Sequence, residues 1–469
     1  MRSIVWFRGK DLRVADHGPL AEAAACGEVL PIFVLDPYFF EPAAAQRLPH
    51  RMQFLLQSLR ELEGCLAGLG SRLLVVAGRS VDVVPRLAAR WNADRVVAHR
   101  WVEPFGRERD RRVVETLSRN GVAFQLFEGE TLLPPGSVRN GQGRMFRMFT
   151  PFARAAGARL DLGPVRAPLR SLPPPPAALV LDTIPIPTIE DLGLVPNPGL
   201  QLGGERAAQA RLQAFLGGPI SYYAVDRDRM DRPGTSRLSA DLKFGTLSVR
   251  TVWQAAAGSG SGESRRRYLG ELLWREFSHH LLWEWPDLLE HPFRSEFQGF
   301  PWRSDELAWR AWTEGRTGYP VVDAAARQLK AEGFVHNRAR MVAASFLTKH
   351  LLLDYRHGEA HYQQWLTDGD WAQNNMGWQW SAGCGCDAQP WFRIFNPVSQ
   401  SLKFDPDGNY VKRWLPELEC CPTTYIHEPW KAPKALRARL DYPQPIVEHA
   451  LARERFLATA KGHLRRGSL

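Results

Sequence analysis

Along the first 130 residues, short apolar runs alternate with longer stretches whose apolar positions recur at helical spacing. SIVWF (3–7), VLPIFVLD (29–36), RLLVVAG (72–78), RVVAH (95–99) and VAFQLFE (122–128) are dominated by Val, Leu, Ile, Phe and Ala, as in strands covered on both faces. RMQFLLQSLRELEGCLAGL (51–69) instead repeats its leucines with a helical period. Strand, helix, strand at this interval predicts a doubly wound parallel sheet in an α/β domain spanning 1–130. Residues 131–204 break the pattern: the proline-rich RSLPPPPAALVLD (170–182) sustains neither helix nor central strand, so the stretch reads as a long linker. From 205 to 469 the spacing is helical almost throughout, as in ARLQAFL (210–216) and YLGELLWREFSHHLLWEW (268–285), which predicts an all-α second domain. GSGSGE (258–263) reads as a loop between two of its helices, because no strand precedes it.

A chain of 469 residues exceeds what one hydrophobic core usually organises, which agrees with two domains and leaves room for a large buried ligand. Lys and Arg number 60 against 50 Asp and Glu, a net charge of +10 that favours polyanionic partners, nucleic acid first. Cysteines at 26, 65, 384, 386, 420 and 421 form no disulfide framework, which suits a reducing compartment. The N-terminus has no apolar core of signal-peptide length, and no apolar stretch is long enough to span a bilayer. The expectation is a soluble, cytoplasmic protein with no membrane partner. Neither GxGxxG nor GxxxxGK[ST] follows the first strand, so neither dinucleotide nor P-loop binding is signalled there.

Chemistry gathers in the helical part. TSRLS (235–239) offers three hydroxyls and Arg237, either as donors to phosphate oxygens or as a plain helix cap. DGDWAQNNMGWQW (368–380) packs tryptophans, two carboxylates and an Asn pair into one stretch. Asp368 and Asp370 either cap the following helix or accept hydrogen bonds from a ribose or a ring N–H, with Arg340 a candidate counter-ion. Most of the 17 tryptophans lie in this half, and any one of them is more simply core filling than a ligand platform. Cys384, Cys386 and the Cys420–Cys421 pair do not have the spacing of a zinc or iron–sulfur site, so no metal is expected.

GTSRLSADLKFGTLS (234–248), LLWREFSHHL (272–281), TGYPVVDAAARQL (317–329), HNRARMVAASFLTKHLLLDY (336–355), DGDWAQNNMGWQW (368–380), FRIFNPVSQSLKFD (392–405) and VKRWLPEL (411–418) resemble, in order and spacing, the photolyase/cryptochrome flavoproteins. VWFRGKDLRVADHGPL (5–20) resembles that family's opening strand and loop, and within the family the chain is most similar to class I cyclobutane pyrimidine dimer photolyases. The resemblance implies FAD, reduced and anionic when active, in the helical domain. Tyr223, Thr235, Ser236, Arg237, Leu238, Ser239 and Arg275 match positions around its phosphates. Asp368, Gly369 and Asp370 match contacts to adenosine and isoalloxazine with Arg340 as counter-ion, and Asn374 matches the residue facing flavin N5. An amide there suits a reduced, anionic flavin, and plant-type cryptochromes carry Asp at this position, so Asn374 favours repair.

Glu271, Trp274, Asn337, Arg338, Met341 and Trp380 match a pocket for a flipped-out pyrimidine dimer, while Arg227, Arg338, Arg393 and Gln400 match the DNA-facing rim. Trp378 matches the flavin-proximal electron donor and Trp302 the outermost relay residue. The middle position departs: Tyr355 stands where the pattern has tryptophan. Phenol oxidation requires proton loss, so the expectation is slower photoreduction or a detour through another aromatic such as Trp371. Met376 replaces a small residue. The resemblance implies a second antenna chromophore in the α/β domain, but Gly106 stands where folate-binding members have an acidic contact, so the folate pattern is not retained and a deazaflavin, a second flavin or none stay open. The implied activity is light-driven repair of cyclobutane pyrimidine dimers by a monomer acting on UV-damaged DNA, with no obligatory protein partner. Two alternatives stay open. A cryptochrome-type photoreceptor is disfavoured by the short tail after RWLPEL, and a (6-4) photoproduct lyase by the single His336 beside Asn337, with His279 and His280 on another helix read as core or surface residues.

Overall fold

Five strands, β1 (Arg2–Phe7), β2 (Glu28–Leu35), β3 (Leu74–Ala77), β4 (Arg95–His99) and β5 (Ala123–Phe127), pair in parallel in the order β3-β2-β1-β4-β5. The computed structural model describes residues 1–176, 183–260, 262–388 and 390–466. The Ala-Val-Leu end of the proline-rich stretch (177–182), one position of the Gly-Ser loop and the last three residues of the basic tail lie outside them.

Each strand occupies its place because its alternate residues feed two different cores. In β1, Val5 and Phe7 join Phe33, Phe54 and Leu59 on one face, whereas Ile4 and Trp6 join Ile32, Val84 and Val96 on the other. Helices α1 (Gly18–Cys26) and α2 (Pro49–Gly68) cover the first face, and α3 (Ser80–Arg90) and α4 (Pro104–Arg119) the second. The chain runs outward from β1 to β3 and returns to place β4 on the other side of β1. In open α/β sheets, ligands commonly bind at such a reversal, here at the carboxyl ends of β1 and β4.

By its internal contacts the chain groups into two units, Met1–Ser221 with Ser236–Pro286, and Tyr222–Thr235 with Asp287–Leu469. The boundaries fall after Ser221, Thr235 and Pro286. Within residues 131–204 lies α5 (Phe149–Gly157), whose Phe152 packs on Phe277 of α6 (Gly262–Glu284) at 4.9 Å between ring centroids. The buried Glu276 carboxylate of α6 accepts hydrogen bonds from the backbone N–H groups of Leu132 and Leu133, both at 2.9 Å. A buried carboxylate needs such donors, and two peptide N–H groups of the linker supply them.

In the second unit the principal helices are α7 (Glu306–Glu314), α8 (Pro320–Glu332), α9 (Asn337–Ser345), α10 (Tyr355–Trp365), α11 (Trp371–Ala382) and α12 (His449–Arg466). They share one core around Val322, Leu329, Val342, Phe346 and Trp378. A π-helical turn, Phe346–His350, follows α9 and swings the chain toward Tyr355. Among the described residues, no helix is long and apolar enough to cross a membrane.

Candidate functional site

The hydroxyl loop lies in the first unit from Ser236 onward. Leu238, not a hydroxyl residue, occupies the cap position of the short helix Ser239–Phe244 and makes no side-chain cap. The capping alternative is therefore not what this loop does. Ser236 Oγ instead bonds the Tyr268 hydroxyl at 3.2 Å. Arg237 adopts φ 55°, a left-handed conformation that costs a branched-free but bulky residue of this kind about 1 kcal/mol or more. Such strain persists only where the loop's shape is needed. On the neighbouring helix, Arg275 donates to the carbonyls of Glu130 at 2.6 Å and Leu242 at 3.3 Å.

In the second unit, Asp368 and Asp370 have separate jobs. Asp370 caps α11, its Oδ1 accepting from Gln373 N at 3.1 Å. Asp368 is gripped by Arg340, whose Nη2 reaches both carboxylate oxygens at 3.0 and 2.8 Å. Arg340 is itself anchored by its Nε–H on the Val335 carbonyl at 2.8 Å. Buried Asn374 spends both amide hydrogens inside the protein, on the Glu359 carbonyl at 2.9 Å and on Gln363 Oε1 at 3.3 Å. What it has left to offer is its carbonyl oxygen, an acceptor. Gln363 also donates to the Gly369 carbonyl at 3.2 Å, so one side chain ties Asn374 to the Asp-Gly-Asp turn.

Glu359 and Gln363, one helical turn apart on α10, escaped sequence reasoning because neither belongs to a quoted motif. Their polar character on a buried helix face was the available signal. Asn375 Nδ2 donates to both Glu359 oxygens, at 3.1 and 3.2 Å, yet burial pushes this carboxyl from 4.5 up to about 7. The folded chain thus keeps a proton that the unfolded chain gives up, so stability present below pH 4.5 is lost as pH rises to 7. Glu359→Gln is expected to raise the thermal midpoint above pH 7, with the gain vanishing toward pH 4.5, as read by calorimetry across that window.

The substrate candidates are also split between the units. In the first, Glu271 and Trp274 sit on α6, half-buried, and Trp274 is stacked face to face on Phe149 at 3.6 Å and 8°. One indole face is therefore already covered, and the ring's tilt is fixed. In the second, exposed Asn337 donates to Met341 Sδ at 3.8 Å at the start of α9. Arg338 pairs with Asp228 at 2.8 Å and lies over the Phe404 ring at 4.2 Å. Arg227 lies over the Tyr223 ring at 5.6 Å, Arg393 is exposed, and Gln400 has a buried Oε1 without a hydrogen-bond partner among the described residues. Trp380 is half-buried on α11, beyond the fully buried Trp378. Trp371 is 40% exposed and touches no other ring among the described residues.

His279 and His280 are both fully buried, as core residues of α6. His336 caps α9, Nδ1 accepting from Arg338 N at 3.2 Å, and burial lowers it to about 4. Cys384 and Cys386 are buried, Cys420 is exposed and Cys421 is buried. The Cys384 thiol donates to the Gln379 carbonyl at 3.8 Å and is held well above its ordinary range by burial.

Two family models cover the chain: DNA photolyase over residues 3–176 and the FAD binding domain of DNA photolyase over residues 268–462. These define a flavoprotein built on a parallel-sheet domain. A deoxyribodipyrimidine photo-lyase from Synechococcus is 40% identical over 97% of this chain and 96% of its own length. One from Thermus thermophilus is 42% identical over 98% of each. Among solved structures, a class III photolyase from Agrobacterium tumefaciens superposes with a TM-score of 0.91 at 36% identity, covering 99% of this chain and 98% of that one. A Synechocystis cryptochrome gives 0.89 at 30%, covering 98% and 99%. An archaeal photolyase from Sulfolobus tokodaii with two FAD molecules gives 0.84 at 31%, covering 98% and 100%. The chain belongs to the DNA photolyase family, and FAD is its cofactor.

Proposed function

We propose that this protein uses light to split cyclobutane pyrimidine dimers in DNA. The observation that carries the reading is full-length similarity, 40% identity over 97% of the chain, to a protein named deoxyribodipyrimidine photo-lyase. The residues present fit the cofactor. An anchored arginine neutralises Asp368, Asn374 is left with an acceptor oxygen, and the hydroxyl loop takes a left-handed turn at Arg237.

When bound and reduced, FAD supplies a light-driven electron to the dimer, whose ring opens before the electron returns, so nothing is consumed. Everything else is positioning. Tyr223, Thr235, Ser236, the Leu238 and Ser239 backbone, Arg237 and Arg275 are assigned to the phosphates, where hydroxyl and N–H donors and positive charge match the oxygens. Asp370 and Gly369 accept from the adenosine side, Asp368 from ring N–H. Asn374 would offer its remaining acceptor oxygen to a protonated flavin N5, which would favour the reduced form. Trp274, through the face opposite Phe149, and Trp380 pack on the dimer; Glu271 and Asn337 bond its edges, and Met341 adds adaptable apolar contact. Arg227, Arg338, Arg393 and Gln400 engage the flanking backbone. Trp378, Tyr355 and Trp302 are the residues assigned to electron relay. The reading extends to a cytoplasmic monomer with a second chromophore of undetermined identity.

His336 supports this lesion over the (6-4) photoproduct, since a capping imidazole with its proton affinity lowered to about 4 is a poor acid at neutral pH. The Synechocystis cryptochrome, at a TM-score of 0.89, favours a photoreceptor as the second reading. Blue light on the reduced protein with ultraviolet-damaged oligothymidine separates the two. Recovery of thymine absorbance is expected, and its absence in the presence of intact reduced flavin selects the photoreceptor. Glu271→Ala is expected to weaken lesion binding by about tenfold to a hundredfold while flavin content stays at one per chain, read by filter binding and absorbance.

A further inference from the structure

The aromatic rings of the second unit are not joined as the class I pattern would join them. Trp302 meets Tyr355 edge-on, 6.5 Å between centroids and 73° apart, but among the described residues no ring contact links Tyr355 to Trp378. The ring neighbours of Trp378 are Trp312 at 6.0 Å and 70°, and Tyr362 at 5.2 Å and 84°. Trp312 then stacks on Trp309 at 5.6 Å and 23°. Trp378 and Trp312 are buried, whereas Trp309 is half-buried on α7 between exposed Leu307 and Arg310. Three indoles in succession therefore lead from the core to the solvent edge.

Indole and phenol differ in what they need to carry positive charge. An indole keeps its N–H as a radical cation, whereas a phenol must release its proton as the electron leaves. Among the described residues, none accepts a hydrogen bond from the Tyr355 hydroxyl. Burial, Cys384 and Glu359 all make that proton harder to remove than from an ordinary phenol. The Tyr362 hydroxyl is likewise buried without a partner. Trp312, by contrast, donates its Nε1–H to the Ala343 carbonyl at 3.1 Å, so the negative end of a peptide dipole faces the ring that would become cationic.

We infer that during photoreduction of the oxidised cofactor the electron vacancy on Trp378 leaves through Trp312 to Trp309, bypassing Tyr355 and Trp302. The inference rests on the assignment of Trp378 as the flavin-proximal donor. Trp378 gives one electron to the excited oxidised flavin, Trp312 refills Trp378, and Trp309 refills Trp312. The oxidised Trp309 loses its indole proton to water, and an external thiol then returns one electron and one proton to it. The net transfer is one electron from thiol to flavin.

The test uses the full-length, flavin-loaded protein under blue light with added thiol. Bleaching of oxidised-flavin absorbance gives the rate, transient electron paramagnetic resonance identifies the radical, and mass spectrometry locates light-dependent oxidation when thiol is omitted. Trp309→Phe is expected to slow bleaching by about tenfold and to remove the long-lived indole radical, while Tyr355→Phe slows it less. Oxidation is expected at Trp309. Trp312→Phe should behave as Trp309→Phe does; because Trp312 is buried, the surface variant keeps the result independent of folding. The inference is overturned if Tyr355→Phe slows bleaching at least as much as Trp309→Phe, or if oxidation falls on Trp302. Unchanged bleaching in Trp378→Phe would instead remove the proximal-donor assignment itself.

Discussion

Replacing Arg340 with alanine is expected to strip the protein of flavin and to cost about 3 kcal/mol of stability. The Asp368 side chain is only 5% exposed, and its two oxygens rest on a single guanidinium nitrogen at 3.0 and 2.8 Å. Removing the cation leaves a carboxylate in a site that cannot hydrate it, and that desolvation dominates over the lost Coulomb attraction. For a chain of 469 residues, at about 2.1 cal/mol/K of unfolding entropy per residue, the loss corresponds to a fall of roughly 3 °C in the thermal midpoint, read by calorimetry on apo-protein. The companion variant Arg340→Leu/Asp368→Asn separates the two effects. It carries no buried charge, so it should recover most of the midpoint while staying colourless. A single Arg340→Ala variant that remains yellow and unfolds at the parental temperature would show that the pair contributes neither.

Gly358→Ala is expected to destabilise, against its helix propensity. An alanine at the end of the first turn of α10 would gain up to about 1 kcal/mol over glycine on backbone grounds alone. Its Cβ, however, would land on the Trp378 ring and 2.6 Å from Leu347 Cδ2. Neither neighbour has room to retreat, since Trp378 is buried with Trp312 and Tyr362 against it and Leu347 is fully buried. Overpacking of this kind costs about 1–3 kcal/mol, so the steric term wins, and larger residues cost more. The expected result is a lower midpoint with unchanged far-ultraviolet dichroism, together with slower flavin photoreduction because the displaced indole is the assigned proximal donor. A midpoint raised by the substitution would mean that the ring yields more readily than its surroundings suggest.

What the chain disclosed before any coordinates was unequal in kind. The strands were legible within a residue or two because a sheet covered on both faces demands nearly unbroken apolar runs, and RVVAH at 95–99 coincides with β4. Strand order was not legible, because nothing local in β1 says that β4 rather than β3 lies beside it. The helix at 149–157 was hidden in a proline-rich stretch, its apolar residues few and paired with α6 more than a hundred positions later. At the candidate site, motif order supplied the residue types, and the Arg340–Asp368 pair was anticipated from charge alone. Orientation was beyond reach. That Asn374 spends both hydrogens on Glu359 and Gln363, that Phe149 covers one face of Trp274, and that Trp378 touches Trp312 and not Tyr355 are facts of packing that no spacing encodes.

The first unit is not a contiguous piece of chain: it is interrupted by Tyr222–Thr235 and completed only by Ser236–Pro286. During synthesis the nascent sheet must therefore wait for α6 to emerge before the Leu132 and Leu133 amides meet the Glu276 carboxylate and Phe152 meets Phe277. A fragment cut at the end of the proline-rich stretch would carry every strand and still present bare peptide donors and an aromatic face to water. Dissection of this protein for expression, or its fusion to other modules, is accordingly best placed at its ends.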